Sequence, residues 1–498
     1  MAEPESFLYS VILTTEQAAR DRQGPLTQFH AATTLDELLT SFCALIKLTK
    51  PTSRQQFLNF IDRQIAVIDE LINAQVNAII HHPDFQKLEA SWRGLLYLVE
   101  QVDGVEKVKV RFLDVSWKTL VKDLDRAIEF DQSQIFRKIY NEEFGMAGGQ
   151  PFGVVLGDYY IRHLPGKDYS TDDISALREM SQVAAAAFAP FITAADPALF
   201  GLDTFYELGM PLNLNTVFEQ AEYLKWNALR ESEDARFIGI VLPHVLMRLP
   251  YSNDNYRSDG FVFHEDVSSP DNTGYLWGNA CYAFGAILVR EFGNSGWFSD
   301  IRGSYSGVKA GGVVAKIPIE SIKTDKRGSV LKYTTDVLIS DTNDKALCDY
   351  GFMPLCHSKD TRYAVFYSNS SLHNPPKYDK VAATINAKIS SMLHYVLSMS
   401  RFAHYIKIIG RSKIGSFTTS EELETYLHDW LIGFAMDGAT LSQEMRAKYP
   451  LAEAKVEIKD VLGKPGVYSC VIHLKPHTQH DKLVTAVKLV TELVEAKI

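Results

Sequence analysis

The feature that most constrains the fold is a long run of regularly spaced apolar residues near the N-terminus. Between residues 57 and 79, apolar side chains recur at spacings of 4, 4, 3, 4, 4 and 3, which predicts one helix of about six turns with a single apolar stripe. Taken alone, the pattern favours packing within the chain's own domain, and a helix bundle shared with a second chain is the alternative. The seven residues of this stripe are Phe57, Ile61, Ile65, Ile68, Ile72, Val76 and Ile79.

The rest of the chain mixes helical and strand patterns. Its 498 residues predict about two to four domains, and the alternation of elements predicts an α/β (α+β), multidomain fold. Ser116 and Asp84 are the expected N-caps of two helices, and a turn-rich stretch at 371–376 marks a domain boundary. Helices are expected at 35–48, 85–100, 116–130, 175–189, 380–409 and from Ser420, and strands at 108–112, 152–156, 237–242, 313–317, 337–339, 364–367, 454–460, 467–474 and 483–494.

Composition narrows the class of protein. The chain has 51 Lys and Arg against 61 Asp and Glu, a net charge of 51 − 61 = −10, so its surface does not generally attract nucleic acid or anionic lipid. No segment approaches the ~18 apolar residues of a membrane span. The five cysteines are scattered without a CxxC pair, which favours a reducing compartment. We therefore expect a soluble, cytoplasmic protein that inserts in no membrane and binds no nucleic acid.

Motifs that would indicate catalysis or a cofactor are missing from the sequence. The glycine-rich segment 145–149 lacks the Gly-Lys-Ser/Thr ending of a P-loop, and no GxSxG or HExxH occurs. His81 and His82 are adjacent and cannot face one metal from a helix, so a polar role at a helix end is expected, while packing or surface roles are expected for His394 and His404. We expect no catalytic residue, metal or cofactor.

One cluster of charged residues leaves an enzymatic function as the alternative hypothesis. Residues 230–236 place acids and bases side by side in the run RESEDAR, and a pair of carboxylates can serve as general acid and base across a cleft. So dense a run next to a predicted buried strand is more typical of surface or interface salt bridges. Binding or assembly is therefore the stronger hypothesis, and a soluble cytoplasmic enzyme using this cluster is the weaker one.

Several segments resemble a known family. The run from His81 to Leu95, HHPDFQKLEASWRGL, resembles a signature of the large sheath subunit of the bacterial type VI secretion system. The similarity extends over nearly the whole chain from about residue 55 and is weaker before it. Further matching segments follow in order at 230–236 with 249–251, 275–280, 351–355, 400–405, 413–417 and 475–477.

The resemblance implies a structural role. Such subunits pair with a small sheath subunit, and the heterodimers polymerise helically on a baseplate around an inner tube of hexameric protein. The sheath then contracts to drive the tube and spike into a target cell, and an AAA+ unfoldase recycles it. The implied divisions are an unfoldase-recognition region at 1–55, partly flexible, bundle helices at 56–100, an outer α/β middle domain at 101–375, and an inner domain at 376–498 that resembles phage-tail sheath domains.

The resemblance also assigns candidate site residues. It places the apolar stripe described above against the small subunit, which raises the shared-bundle interpretation above packing within the domain. The unfoldase would bind a short N-terminal helix through Phe7, Leu8, Val11 and Ile12. Acids facing the inner tube would be Glu421, Glu422, Glu424 and Asp429. Strands exchanged between protomers would contain Val456, Ile458, Tyr468, Cys470, Ile472, Leu474, Val487 and Leu489.

Overall fold

A computed structural model of the chain describes residues 25–45, 53–166, 169–210, 212–251, 261–268, 272–304, 311–323, 329–358, 361–413, 420–436, 443–460, 467–477 and 487–494. The chain divides into two compact units. The first comprises 1–79 with 251–265, and the second comprises 80–250 with 266–498. The candidate unfoldase residues Phe7, Leu8, Val11 and Ile12 lie outside the described residues.

The described part of the first unit is helical. Phe29 and Phe42 bring helices together through rings whose centroids are 5.8 Å apart, and Phe42 meets Phe60 edge to face. The side-chain oxygen of Asn73 accepts a hydrogen bond from the amide of His264 at 2.8 Å, which ties the returning segment 261–265 to the longest helix. Its helices are α1 (Pro25–Ala31), α2 (Leu35–Leu45) and α3 (Arg54–Ile80), so the long helix predicted from the apolar stripe is confirmed.

The second unit is built around a six-stranded sheet in the order β1-β2-β3-β9-β10-β6. The strands β1, β2, β3 and β9 are parallel, whereas β10 runs antiparallel to its neighbours β9 and β6. Aromatic residues such as Trp226 and Phe352 fill the core on one face, and Phe284 and Phe366 lie in the core on the other. The strands are β1 (Val155–Ile161), β2 (Phe191–Ala195), β3 (Ile238–Leu242), β4 (Val245–Leu246), β5 (Trp277–Gly278), β6 (Val313–Val314), β7 (Ser321–Lys323), β8 (Ser329–Leu331), β9 (Phe352–His357) and β10 (Ala364–Phe366).

Helices cover both faces of this sheet. Single turns and 3-10 segments connect them, and Arg137–Phe144 forms a π-helix. Ser116 caps the helix that follows it, with its hydroxyl accepting from the amide of Thr119, as predicted. The helices of this part are α4 (Pro83–Val102), α5 (Trp117–Arg126), α6 (Gln134–Phe136), α7 (Asp173–Ala187), α8 (Leu214–Phe218), α9 (Leu224–Glu231), α10 (Cys281–Ser295) and α11 (Asp341–Asp349).

The C-terminal part packs helices on a three-stranded antiparallel sheet, β11-β12-β13. Leucines of one helix, Leu423, Leu427 and Leu431, lie in a core with Phe402 and the buried face of the sheet. The strand predicted at 483–494 is confirmed over Val487–Val494, and residues 483–486 lie outside the described residues. The elements are α12 (Val381–Ser390), α13 (Leu393–Lys413), α14 (Ser420–Ile432), α15 (Gln443–Lys448), β11 (Leu451–Asp460), β12 (Val467–Pro476) and β13 (Val487–Val494).

Four local predictions are wrong. Residues 108–112 alternate in polarity but form no strand, because no neighbouring strand pairs with them. Residues 337–339 also form no strand. The helix expected at 380–409 breaks at Ser391, where Ser371 donates its hydroxyl hydrogen to the Ser391 carbonyl and Leu393 donates to Asn369. Helix α4 is capped by the ring of His82, which accepts from the Asp84 amide, rather than by the side chain of Asp84.

Candidate assembly surfaces

The apolar stripe of α3 is largely open to solvent. Ile65 is 51% exposed and Ile68 is 45% exposed, and Ile72 and Ile79 are also exposed. Phe57, Ile61 and Val76 are half-buried. Further apolar residues of the same helix, Leu58, Val67 and Leu71, are exposed as well. A soluble monomer rarely leaves so many apolar groups uncovered along one element, so this helix has the character of an interface.

Helix α4 carries a second exposed apolar stripe that the sequence reasoning missed. Its members recur at spacings of 3, 4, 4 and 3 and are all exposed, with Trp92 at 59%. The spacing is that of an amphipathic helix and could have indicated the stripe, whereas the sequence analysis predicts a helix at 85–100 without assigning it an exposed apolar face. The residues of the α4 stripe are Phe85, Leu88, Trp92, Leu96 and Val99.

The opposite face of α4 explains why this stripe points outward. Ala90, Gly94 and Leu98 are buried, and a Cβ at Gly94 would overlap the ring of Tyr282 on α10. Glycine therefore allows the two helices to approach closely, and this packing fixes which side of α4 remains free.

A buried ion pair also holds α4 in place. Glu89 accepts a hydrogen bond from Arg248 at 2.8 Å and another from Arg93 at 2.7 Å through the same carboxylate oxygen. The Arg248 side chain is only 6% exposed, so the pair is desolvated and depends on both partners. Two residues of the signature run, Glu89 and Arg93, thus position the helix.

The candidate inter-protomer strands form a sheet within one chain. Strand β12 pairs with β11 on one side and with β13 on the other, so that Ile472 lies between Val456 and Leu489. Leu474 lies opposite Val487, and Tyr468 opposite Leu493. The side chains of Val456, Ile458, Cys470, Ile472 and Leu474 are buried in the C-terminal core. The face of the sheet that carries these side chains is therefore covered within the chain itself.

The four acids proposed to face the tube are not equivalent. Glu421, Glu422 and Asp429 are exposed on α14. Glu424 is half-buried, and one of its carboxylate oxygens accepts a hydrogen bond from the backbone amide of Ile458 at 2.9 Å. Glu424 therefore contacts the chain's own sheet.

The cluster at 230–236 supports backbone structure. The buried Arg230 donates to the carbonyls of Asp349 at 3.1 Å and Leu372 at 3.4 Å, and burial lowers its pKa to about 10. Arg236 pairs with Glu233 of the same 3-10 turn. Burial raises the pKa of Asp234. Arg230, Arg236 and Glu233 thus bond to backbone carbonyls or to each other.

His394 and His404 have packing roles, and the Cys356 thiol is buried. His394 lies 2.9 Å from the side-chain oxygen of Asn369, and His404 lies 2.9 Å from the carbonyl of Ala187. Both rings are buried, and burial lowers the pKa of His404 to about 4. Burial raises the pKa of the Cys356 thiol, which makes it a poor nucleophile. Among the residues that the structure describes, no group of three or more His, Cys, Asp or Glu side chains could hold a metal ion.

Comparison with known families identifies the two main parts of the chain. Residues 62–373 match the family described as EvpB/VC_A0108, tail sheath N-terminal domain, and residues 382–493 match the EvpB/VC_A0108 tail sheath gpW/gp25-like domain. The chain is a tail sheath protein of this family. It is also 41% identical over 440 residues to the type VI secretion system sheath protein TssC1 of Pseudomonas aeruginosa, covering 88% of this chain and 86% of that protein.

The family assignment confirms the resemblance to the large sheath subunit of type VI secretion. The match to the N-terminal domain ends at residue 373, and the match to the gpW/gp25-like domain begins at residue 382. The gpW/gp25-like domain contains α12 to α14 and the three-stranded sheet of this sheath protein. Within the described residues, no helix is long and apolar enough to cross a bilayer.

Proposed function

We propose that this chain is a non-enzymatic structural subunit of a contractile type VI secretion sheath. It pairs with a small sheath subunit in the cytoplasm, polymerises helically around an inner tube, and contracts to propel the tube and spike into a target cell. The observation that carries the proposal is the exposed apolar stripe of α3, which a sheath subunit would cover in its heterodimer.

The chemistry of the stripe fits a helical partner. Ile65, Ile68 and Ile72 lie on successive turns and expose branched apolar side chains, as the seam of a helix bundle requires. Burial of apolar area yields about 25 cal/mol per Å², so several such side chains supply much of the stability of a heterodimer. We propose that the α4 stripe contributes a second apolar contact to the same kind of partner.

An aspartate substitution in the stripe tests this interface. In Ile65→Asp or Ile68→Asp, an unpaired carboxylate would be buried in the seam at a cost of several kcal/mol, so we expect the large subunit to lose co-purification with its small partner and to form no tubes. Because Ile65 and Ile68 are exposed in the chain alone, its own fold should survive, which circular dichroism can verify. Gln75→Asp, an exposed polar position on the same helix, is the matched control.

Unchanged co-purification and tube formation by Ile65→Asp would contradict the proposed interface. The stripe would then have to be covered by the chain's own N-terminal segment. A limited proteolysis comparison of the variant and the parent chain would detect that arrangement as a change in the cleavage of residues 1–53.

The other binding partners are inferred from the family to which the chain belongs. We infer that other protomers are linked through the C-terminal strands, that α14 faces the inner tube, and that growth begins on a baseplate. The unfoldase would bind the region 1–55 through Phe7, Leu8, Val11 and Ile12. Binding of a peptide covering residues 4–23 to the unfoldase's N-terminal domain is the direct test of that site.

A further inference from the structure

Strand β11, one outer strand of the C-terminal sheet, is bonded near both of its ends to other parts of the chain. Strands β11 and β13 form its outer edges. At the start of β11, the Leu451 amide donates to the carbonyl of Phe434 at 3.2 Å, and the Met436 amide donates to the carbonyl of Leu451 at 3.0 Å. The segment after α14 therefore pairs with the first residue of this edge.

Glu424 occupies the other end of the same edge. Its carboxylate accepts the hydrogen bond from the Ile458 amide, seven residues along β11 from Leu451, or about 23 Å of extended chain. Leu423 and Leu427 anchor the helix in the core on either side of Glu424. Glu424 is also close enough to Cys470 that, with burial as the larger cause, it helps to raise the pKa of that thiol to about 12.

The pairing register shows which backbone groups face outward on the opposite edge. In an antiparallel pair, two opposed residues either exchange hydrogen bonds or both face away. Ile458 faces away from β12, so its partner Cys470 faces β13, and Thr491, which lies opposite Cys470, faces β12. The backbone groups on the outer side of β13 are therefore those of Lys488, Val490, Glu492 and Val494.

We propose that Glu424 is a specificity-determining residue that closes the β11 edge, so that strands from another protomer can be added only on the β12–β13 side. This inference rests on the proposed function, in which strands link protomers. A carboxylate accepts hydrogen bonds and donates none, so it satisfies the Ile458 amide and repels the carbonyl of an incoming strand.

Strand addition at only one edge of the sheet matters because an ordered lattice needs one repeating contact. A sheet with two open edges can pair with other chains in several ways, which leads to irregular aggregation. Closing β11 leaves a single direction of strand addition and thus a heterologous contact that repeats regularly. Glu424 would thereby act on assembly without touching the inner tube.

Three variants of the full-length chain, expressed with its small partner, separate this role from others. Glu424→Ala removes the acceptor, Glu424→Gln keeps an oxygen that can accept from Ile458, and Glu421→Ala alters an exposed acid on the same helix. In Glu424→Ala, we expect the exchange protection of the peptide covering 451–460 to fall by about tenfold, as loss of a hydrogen bond to a charged acceptor predicts, and light scattering to show irregular association. Glu424→Gln should largely restore both, and Glu421→Ala should change neither.

Two results would overturn the proposal. Unchanged exchange of 451–460 in Glu424→Ala would show that the carboxylate does not hold the Ile458 amide. Lost protection combined with regular tubes and no irregular association would show that closing this edge is unnecessary. Failure of the parent chain to form tubes would instead contradict the proposed function, and the exchange measurement is independent of that outcome.

Discussion

At the residue scale, the buried polar groups of this protein hold its elements together. His404 contacts Ala187, 217 residues away, and Arg248 binds Glu89, 159 residues away. The sequence predicted a packing or surface role for His404 because no metal-ligand spacing surrounds it. It could not predict either partner, since both contacts depend on the tertiary fold and no local pattern encodes them.

Glu291 near the end of α10 makes stability depend on pH. It is 5% exposed and accepts a hydrogen bond from the Ser295 hydroxyl at 3.0 Å, and burial followed by the nearby Asp300 raises its pKa to about 7. A carboxyl group whose pKa is higher in the folded state than in the unfolded state binds more protons when folded. Its contribution is therefore complete below about pH 4.5 and is lost as the pH rises through about 7.

The variant Glu291→Gln tests this dependence. A neutral amide avoids the cost of ionising the buried group, so the free energy of unfolding of the variant relative to the parent should increase between pH 5 and pH 8. The shift of the pKa sets an upper limit of about 3 kcal/mol on that increase. Urea unfolding at both pH values measures it, with the exposed Glu231→Gln as control, and a difference independent of pH would contradict the assignment.

At the element scale, the periodicity of apolar residues predicted those helices and strands whose backbone hydrogen bonds form within one helix or between neighbouring strands. The stripe at 57–79 gave α3, and the alternation at 454–474 gave β11 and β12, because both patterns persist over several repeats. The alternation at 108–112 is equally regular, yet it forms no strand because the fold supplies no edge beside it. The break between α12 and α13 arises from Ser371 and Asn369, which no inspection of residues 380–409 could reveal.

Truncation after residue 480 tests the role of β13. It removes the whole strand and leaves one side of β12 without its partner, including the backbone groups of Cys470 that face β13. We expect heterodimers to form, because the stripe of α3 is retained, but long tubes to be absent from electron micrographs. A chain ending after Val494 keeps the strand and serves as the control, and normal tubes from the shorter chain would contradict strand linkage.

At the scale of the whole molecule, physical patterns predicted the class of fold, and the family resemblance predicted its assembly. The order β1-β2-β3-β9-β10-β6 brings residue 314 beside residue 364. These two residues lie far apart in the sequence, so no local pattern indicates their pairing. The direction of each apolar stripe, toward the core or toward a partner, was likewise undecided by spacing. For α4, packing decides which side is exposed, since Gly94 and Leu98 occupy the buried side and Trp92 is exposed.

The proposed contact between α14 and the inner tube is a property of the whole assembly. Exposed charge pairs contribute about 0–1 kcal/mol each, which suits a sheath that must release its tube on contraction. Glu421 and Asp429 are the exposed acids of α14 best suited to test this, because Glu424 already binds the Ile458 amide. Reversing both to lysine should weaken assembly around the tube and reduce secretion, most strongly at low salt. Reversing the exposed Glu129 and Glu219 changes the net charge equally and should leave secretion intact. Full secretion by the α14 variant would show that this helix does not contact the tube through its charges.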